Sequence, residues 1–595
     1  MIGKGFAGKI LHVDLRRKKV WTEPLSRSLA ETFIGGLGIC IKLAADLIPL
    51  HADPLSESSV FVLGAGTLVG TDLPSSSRLY AVAKLPATGT VGWCGAGGYT
   101  FGAQLKYAGY DHIVVYGKSD APVYLHIEND KVTIENAGEL WGLSVEDTCR
   151  KIYREIHPDA GVITIGQAGE HRSRISMAFV DQISTLGRGG FGAVLGAKNL
   201  KAVVVRGTGG VDVFDRKGFR RISRSIFKSM QDYPYLKEWQ ALGMLKAFPL
   251  VPVEVYHRLQ PRRTACISCP VGCKEVIHIP DGPFAGLEKH TSSAINLFTP
   301  MIYGVKDPWE AVKIVTELDA FGIDMFEFFG IMTMARKLCD TDVLELEAGE
   351  PAIDLTSWES MTAWAQKVAL RQGTGSILAD GFSALLENFG TDAEREAPPL
   401  IKGVQPYAGP GAAIPWDRFG TMELGQVLDP RGPHVGSGGS PTYFALRPLS
   451  VFPKHLLRMG VPESAFDRIL GPHRDELHIG RLLRYSHSWF ATLGSLGLCA
   501  RGQVNRFYNA EICAAAYEAA TGIPTPLPEL RKRVTRVWKT YRELNIREGL
   551  DEAKEALPEQ WFKEAGFKDY LTGEPLSQGQ AEEMKKEYFE EWEEA

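Results

Sequence analysis

The hydrophobic pattern changes character about a third of the way along the chain. Up to residue 208 it alternates or comes in short apolar bursts. KILHVDL alternates, VYLHIENDKVTIENA is two alternating runs around Asn129-Asp130, and DHIVVYG and LKAVVVRG are short apolar runs ending in glycine. A period of two predicts strands, and the polar pair between two such runs predicts a hairpin. The glycine-rich stretches among them, Gly35–Gly38, Cys94–Gly98 and Gly187–Gly192, read as turns. From TGGVDVFD at Thr208 onward the period becomes helical, in FDRKGFRRISRSIFKSMQDY, PWEAVKIVTELDAFGI, MTAWAQKVALRQG, AEICAAAYEAATG and LPELRKRVTRVWKTYRELNIREG. The stretch Gly403–Pro448 is rich in Gly and Pro and is expected to form loops around a site. The chain is therefore α+β, β-rich first and mostly helical afterwards, with no repeat of solenoid period.

Composition narrows the class. A chain of 595 residues can hold about two to four domains with large cores. Its 44% hydrophobic and 23% charged content is that of a globular protein, and 63 glycines exceed the usual share of roughly 7%. The net charge is −5, and the tail Ala581–Ala595, with seven Glu and two Lys, carries all of it. The rest is close to neutral, which excludes a nucleic-acid footprint. The tail is expected to be a solvated helix end. No run of about 18 apolar residues predicts a membrane span, and the alternating start MIGKGFAGKILHVDLRRKKV does not read as a signal peptide. A cytoplasmic location follows as the expectation, where nine cysteines are free, catalytic or metal-bound.

The cysteines carry the chemistry. CISCPVGC, Cys266 to Cys273, has the spacing C-x2-C-x3-C. Three closely spaced thiolates plus one distant thiolate hold an iron–sulfur cluster, because thiolates are soft, charged ligands for iron. Structural zinc more often uses two separated C-x2-C pairs, and a packed helical turn could also bring three cysteines together. The fourth ligand is to be found among Cys40, Cys94, Cys149, Cys339, Cys499 and Cys513. Cys513 reads as a packed thiol in a helix, Cys149 and Cys339 also sit in helical patterns, and Cys499 lies in the Gly-punctuated TLGSLGLCARG. Spacing alone does not choose among them.

Several stretches, in order, resemble one family. SSSRLYAVAKLPATGTVGWCGAGGYTFGAQLKYAGYDHIVVYGKSD, GKILHVDL…FIGGLG, GRGGFGAVLGAKNLKAVVVRG, CISCPVGC, LDAFGID, LGLC and LNIREG…LPEQWF are together similar to the tungsten-containing aldehyde ferredoxin oxidoreductases. The resemblance covers nearly the whole chain. It implies an N-terminal double β-sheet domain (1–208) followed by two mainly α-helical domains (209–415 and 416–595) around a central site. That site would hold tungsten, or molybdenum, on a bis-pyranopterin, with a [4Fe-4S] cluster beside it. Cys266, Cys269, Cys273 and Cys499 match the cluster ligands. Arg78 matches an arginine near the pterin phosphates, Gly95 and Gly97 match a turn whose carbonyl binds a bridging Mg2+, and Arg188, Gly189 and Gly190 match the second phosphate turn. Two D-x-x-G-L-(D/C) turns hold the pterins in the family. The first is Asp319, Gly322, Ile323 and Asp324; the second is Gly497, Leu498 and Cys499, with Gly494 standing where the leading Asp belongs.

The catalytic face departs from that pattern. In GLEKHT, Glu288 and His290 are the expected catalytic residues, His290 falling where the family has a second glutamate. The later family histidine has no counterpart in DPRGPHVGSGGSPTYFALRP, where His434 lies earlier. Related class II benzoyl-CoA reductase subunits place a cysteine near Lys289, and this chain has none there. The resemblance implies oxidation of an aldehyde, a small-molecule substrate. Electrons would leave to ferredoxin or an Fe–S subunit, since no flavin or nicotinamide motif is present, and a homodimer is common in the family. Low-potential reduction of an aryl-CoA is the alternative activity, and an electron-relay subunit with a degenerate site is the alternative of another class.

Overall fold

The computed structural model describes residues 3–246, 251–434, 436, 447–563 and 566–594. Six strands form a first mixed sheet: β1 (Lys9–Asp14), β2 (Lys19–Pro24), β3 (Phe61–Ala65), β4 (Arg78–Lys84), β5 (Val91–Gly97) and β6 (His112–Tyr116). Their order is β2-β1-β6-β3-β4-β5. A second sheet holds β7 (Val123–Glu128), β8 (Lys131–Asn136), β9 (Gly161–Ile165), β10 (Ala178–Val180), β11 (Ser184–Leu186) and β12 (Leu200–Arg206), in the order β11-β10-β9-β12-β7-β8. The hairpin expected at Asn129 is the β7–β8 turn, with Asn129 left-handed at φ 53.

The central strands read as apolar runs because both faces are covered. Phe61, Leu63, Leu79, Ala81, Ile113 and Val115 face a core shared with the second sheet. Their neighbours Val62, Tyr80, Val82 and Val114 face the helices Gly36–Leu47, Ile479–Leu496 and Leu527–Arg547. The middle of the chain builds its own core from the helices Pro308–Phe321, Met325–Asp340, Trp358–Leu370 and Gly381–Glu396. Beside it lies a small antiparallel sheet of β13 (Arg262–Thr264), β14 (Lys274–His278) and β15 (Glu288–Thr291).

Three expectations are corrected. CGAGG is not a turn but part of β5, and GGLG opens the helix Gly36–Leu47. These glycines are there for close packing: a Cβ on Gly95 would sit 2.5 Å from the Tyr80 ring. Only the third glycine run turns, with Arg188, Gly189 and Gly190 left-handed at φ 50, 88 and 93. The acidic tail is not a solvated end. It is the helix Gln578–Glu594, which buries Tyr588 and Trp592 and sets Glu591 against Arg468 at 2.6 Å and the Tyr485 hydroxyl at 2.7 Å. The stretch Gly403–Pro448 contains the helix Thr421–Leu428, and residues 435 and 437–446 of it lie outside the described residues. No single helix among the described residues is long and apolar enough to cross a membrane.

Two helices dock on the two sheets in the same way, and this geometry positions the site. Pro308–Phe321 ends at Gly322 (φ 80), whose carbonyl accepts from Met177 N at 2.8 Å, while Ile323 pairs with Ser176. Ile479–Leu496 ends at Gly497 (φ 81), whose carbonyl accepts from Arg78 N at 3.0 Å, while Leu498 pairs with Ser76. Each helix end abuts a glycine just past a strand, Gly166 after β9 and Gly66 after β3; a Cβ on either would run into the helix-end backbone. Gly66→Ala is therefore expected to lower stability on the order of 3 kcal/mol through overpacking, read as a fall in the denaturation midpoint, and an unchanged midpoint would refute this docking.

Candidate active site

One cavity of about 330 Å³ lies between the two sheets, the two helix ends and the β13–β14 loop. Cys266, Cys269 and Cys273 reach it from that loop, which is bent by left-handed Ser268 (φ 59) and Gly272 (φ 56). Cys499 reaches it from the turn after Gly497. Ser75 joins the two sources of sulfur. Its N–H donates to Ser268 O at 2.7 Å, its carbonyl accepts from Cys499 N at 3.2 Å, and its hydroxyl donates to Cys269 Sγ at 3.2 Å. Among the described residues no three His, Cys, Asp or Glu side chains close on a single ion. The four thiols instead surround a shared space, an arrangement suited to a polynuclear cluster.

Cations are packed around those sulfurs. Arg501 Nη1 donates to Cys273 Sγ at 3.2 Å, and Arg78 Nη2 lies 3.8 Å from Cys499 Sγ. Lys274, buried, donates to the Ser184 hydroxyl. Burial lowers its pKa, against which the nearby Cys266 pulls upward. Burial drives the Cys269 thiol up to about 12, with Cys273 and Cys266 adding to the rise. For Cys499 burial also works upward, but Arg78 and Arg501 outweigh it and the pKa is lowered, which favours the thiolate.

The far end of the cavity is built from carboxylates already paired. Arg188 is buried and forks between Asp324 Oδ2 at 3.1 Å and Glu327 Oε2 at 2.6 Å, with a further bond to Gln405 O at 2.9 Å. Its guanidinium is spent within the protein, so an anion at this turn would meet backbone N–H groups instead. Asp319 is held by Lys289 Nζ at 3.0 Å, and Lys289 also reaches Glu146 Oε1 at 2.6 Å. Burial disfavours the Lys289 charge, but Asp319 and Glu146 overcome it and raise its pKa.

The residues matched in sequence fall into two groups. Arg78, Gly95, Gly97, Arg188, Asp319, Asp324, His290 and the four cysteines line the cavity. Gly189, Gly190, Gly322, Ile323, Gly497 and Leu498 are not in the lining, although each adjoins or lies within two residues of a lining residue; Ile323 and Leu498 are fully buried in the cores. Gly95 O accepts from Arg78 Nη1 at 2.8 Å. Glu288 stands outside the lining with its side chain 54% exposed, 3.3 Å from His290 Nε2. The strand explains this: β15 runs inward, with Glu288 at its outer end opposite His278 and Thr291 at its inner end opposite Glu275.

Residues 10–207 match the aldehyde ferredoxin oxidoreductase N-terminal domain, and residues 225–594 match domains 2 and 3 of the same family. The chain belongs to the aldehyde ferredoxin oxidoreductase family. It is an oxidoreductase of that family. It is similar to the tungsten-containing aldehyde ferredoxin oxidoreductase of Pyrococcus horikoshii, 27% identical over 94% of this chain and 92% of that one. Its counterpart in Thermococcus kodakarensis is 28% identical over 94% and 91%. The aliphatic sulfonate oxidoreductase, WOR-like subunit, of Pyrococcus furiosus is 27% identical over 63% of this chain and 66% of that one. In fold the chain resembles the active-site complex BamBC of benzoyl coenzyme A reductase bound to 1,5-dienoyl-CoA, with a TM-score of 0.82 at 24% identity over 99% and 94% of the two chains.

Within the family frame, several lining residues had escaped the sequence reading. Lys274 follows Cys273 directly and Arg501 lies two residues after Cys499, and a basic residue within two positions of such a cysteine is the signal that could have found them. Tyr80 and Arg431 gave no signal. His434 also reaches the cavity, edge-on to Trp93 with ring centroids 4.9 Å apart. Burial first, and then Arg431, holds its pKa well below the ordinary histidine value. Cys94 lines the cavity too, but its sulfur accepts from Gly187 N at 3.3 Å, away from the Ser75 junction.

Proposed function

We propose that this chain is a tungsten bis-pterin oxidoreductase with one [4Fe-4S] cluster. In this reading it oxidises an aldehyde to a carboxylic acid and hands the electrons to ferredoxin or an Fe–S subunit. The observation that carries the reading is the convergence of four cysteines and both helix-end turns on one cavity lined by Arg78, Arg188, Lys274, Arg431 and Arg501. Arg188 is offset by Asp324 and Glu327, and Asp319 by Lys289, which leaves Arg78, Lys274, Arg431 and Arg501 facing the cavity, and these fit an anionic, phosphate-bearing cofactor and a negatively charged cluster. Cys266, Cys269, Cys273 and Cys499 would hold the cluster. Mg2+, expected at Gly95, would share that carbonyl with Arg78. When bound, tungsten supplies Lewis acidity and two-electron redox chemistry.

His290 is the member of the Glu288–His290 pair that reaches substrate space. Burial lowers its pKa, with Glu288 pulling the other way, which favours the neutral ring. With Nε2–H donated to Glu288, Nδ1 is free to accept a proton released by substrate, and Glu288 steadies the resulting imidazolium. A relay subunit would need the cysteines but not the paired turns around the rest of the cavity.

The test is elemental and pterin analysis of protein purified without oxygen, followed by assays with aldehydes and with aryl-CoA esters. About four Fe per chain together with tungsten or molybdenum, and aldehyde-dependent dye reduction, are expected. Iron without either metal would leave only an electron relay. Zinc in place of iron would overturn the cluster, and turnover of aryl-CoA alone would overturn the substrate class.

A further inference from the structure

The two docked helix ends allow the two ends of the cavity to be compared residue by residue. Arg78 N bonds the Gly497 carbonyl as Met177 N bonds the Gly322 carbonyl. Two residues further along, each strand presents an aromatic ring to the cavity: Tyr80 on β4 and Phe179 on β10. On the helices, Asp319 precedes Gly322 by three residues, and Gly494 precedes Gly497 by three. One end therefore pairs a carboxylate with phenylalanine. The other pairs glycine with tyrosine. The polar group has changed sides.

The packing shows that the exchange is built in. The Tyr80 ring lies in a slot between two glycines. A Cβ on Gly95 would meet its Cε1 at 2.5 Å, and a Cβ on Gly494 would meet its Cζ at 3.2 Å. A side chain at residue 494 would thus crowd Leu37, whose Cδ2 would lie 3.0 Å from its Cβ, and the hydroxyl end of the Tyr80 ring. Tyr80 is only 3% exposed, yet it lines the cavity, and its hydroxyl makes no hydrogen bond to the described residues. Burial pushes the phenol up to about 12, although Arg78 pulls downward, so it is a neutral hydroxyl able both to donate and to accept. Arg78 lies two residues earlier on the same face of β4.

We propose that Tyr80 is a cofactor-positioning residue, its hydroxyl supplying at the Gly497 end the hydrogen bond to a pterin ring that Asp319 supplies at the Gly322 end. This rests on the bis-pterin reading above. Leaving a buried polar contact unmade is costly, so the missing carboxylate is replaced rather than omitted. The test uses full-length Tyr80→Phe, which reproduces the Phe179 arrangement and removes one oxygen. Pterin is measured as oxidised fluorescence during anaerobic dialysis, with iron counted alongside as a check on folding. Pterin loss is expected to be roughly tenfold faster than in the wild type, the size of one buried hydrogen bond, with iron unchanged. Equal retention in both proteins overturns the assignment of Tyr80 alone. Wild-type protein without pterin overturns the reading of the site, and this assignment with it.

Discussion

Cys499→Ser protein is expected to lose iron and the broad visible absorption of a cluster, while Cys94→Ser protein keeps both. The two thiols border the same cavity, so exposure to it does not separate them. Their partners do. Cys499 is tied through Ser75 O to the loop that carries Cys269, and the charges of Arg78 and Arg501 bring its pKa down. Cys94 accepts a bond from Gly187 N on the side of the second sheet. Serine is a poor ligand for iron because its hydroxyl is hard and protonated at pH 7. Acceptor reduction by Cys499→Ser should fall by more than about 100-fold, the upper end of what losing a group that only hydrogen-bonds a metal ligand costs. Unchanged iron in Cys499→Ser, or iron loss confined to Cys94→Ser, would show that the fourth ligand has been misassigned.

The strands were legible because their signal is local. A double-sheet core makes β3, β4 and β6 apolar on both faces, and Asn129 marks its hairpin by residue type. The cysteine triplet was legible for the same reason, three thiols on one short loop. The place of Cys499 beside them was not, because Cys499 and Cys269 are tied through Ser75, nearly two hundred residues from the triplet in sequence. Glycine misled the reading. A residue without a side chain carries no periodicity, so strand β5 and the start of Gly36–Leu47 passed for turns, whereas Gly494, a departure from the family turn, packs against Leu37 and Tyr80. The tail misled through its charge. Seven glutamates hid a buried face of Tyr588 and Trp592, four residues apart on one side of the helix.

Arg188→Met is expected to be among the most damaging single substitutions, and its damage should grow with pH. The arginine is nearly enclosed, with its side chain 10% exposed, and it compensates Asp324 and Glu327, which are 4% and 5% exposed. Removing the cation leaves two buried carboxylates facing each other, at a cost of about 3–5 kcal/mol. The sign of the pH dependence follows from Glu327. Burial drives its pKa up to about 7, with Arg188 opposing the rise. A carboxyl with a raised folded pKa stabilises the fold fully below its ordinary value and loses that contribution as pH rises through about 7. Without Arg188 the opposing pull is gone and the pKa climbs further, so the deficit widens between pH 5 and 8. Thermal unfolding at those two values should show the wild type and variant closer together at pH 5 and further apart at pH 8. Adding Glu327→Gln to Arg188→Met removes one of the stranded charges and should recover part of the loss at pH 8 while changing little at pH 5. A variant equally destabilised at both pH values, with no recovery in the double substitution, would mean that Arg188 holds this end of the cavity by packing alone.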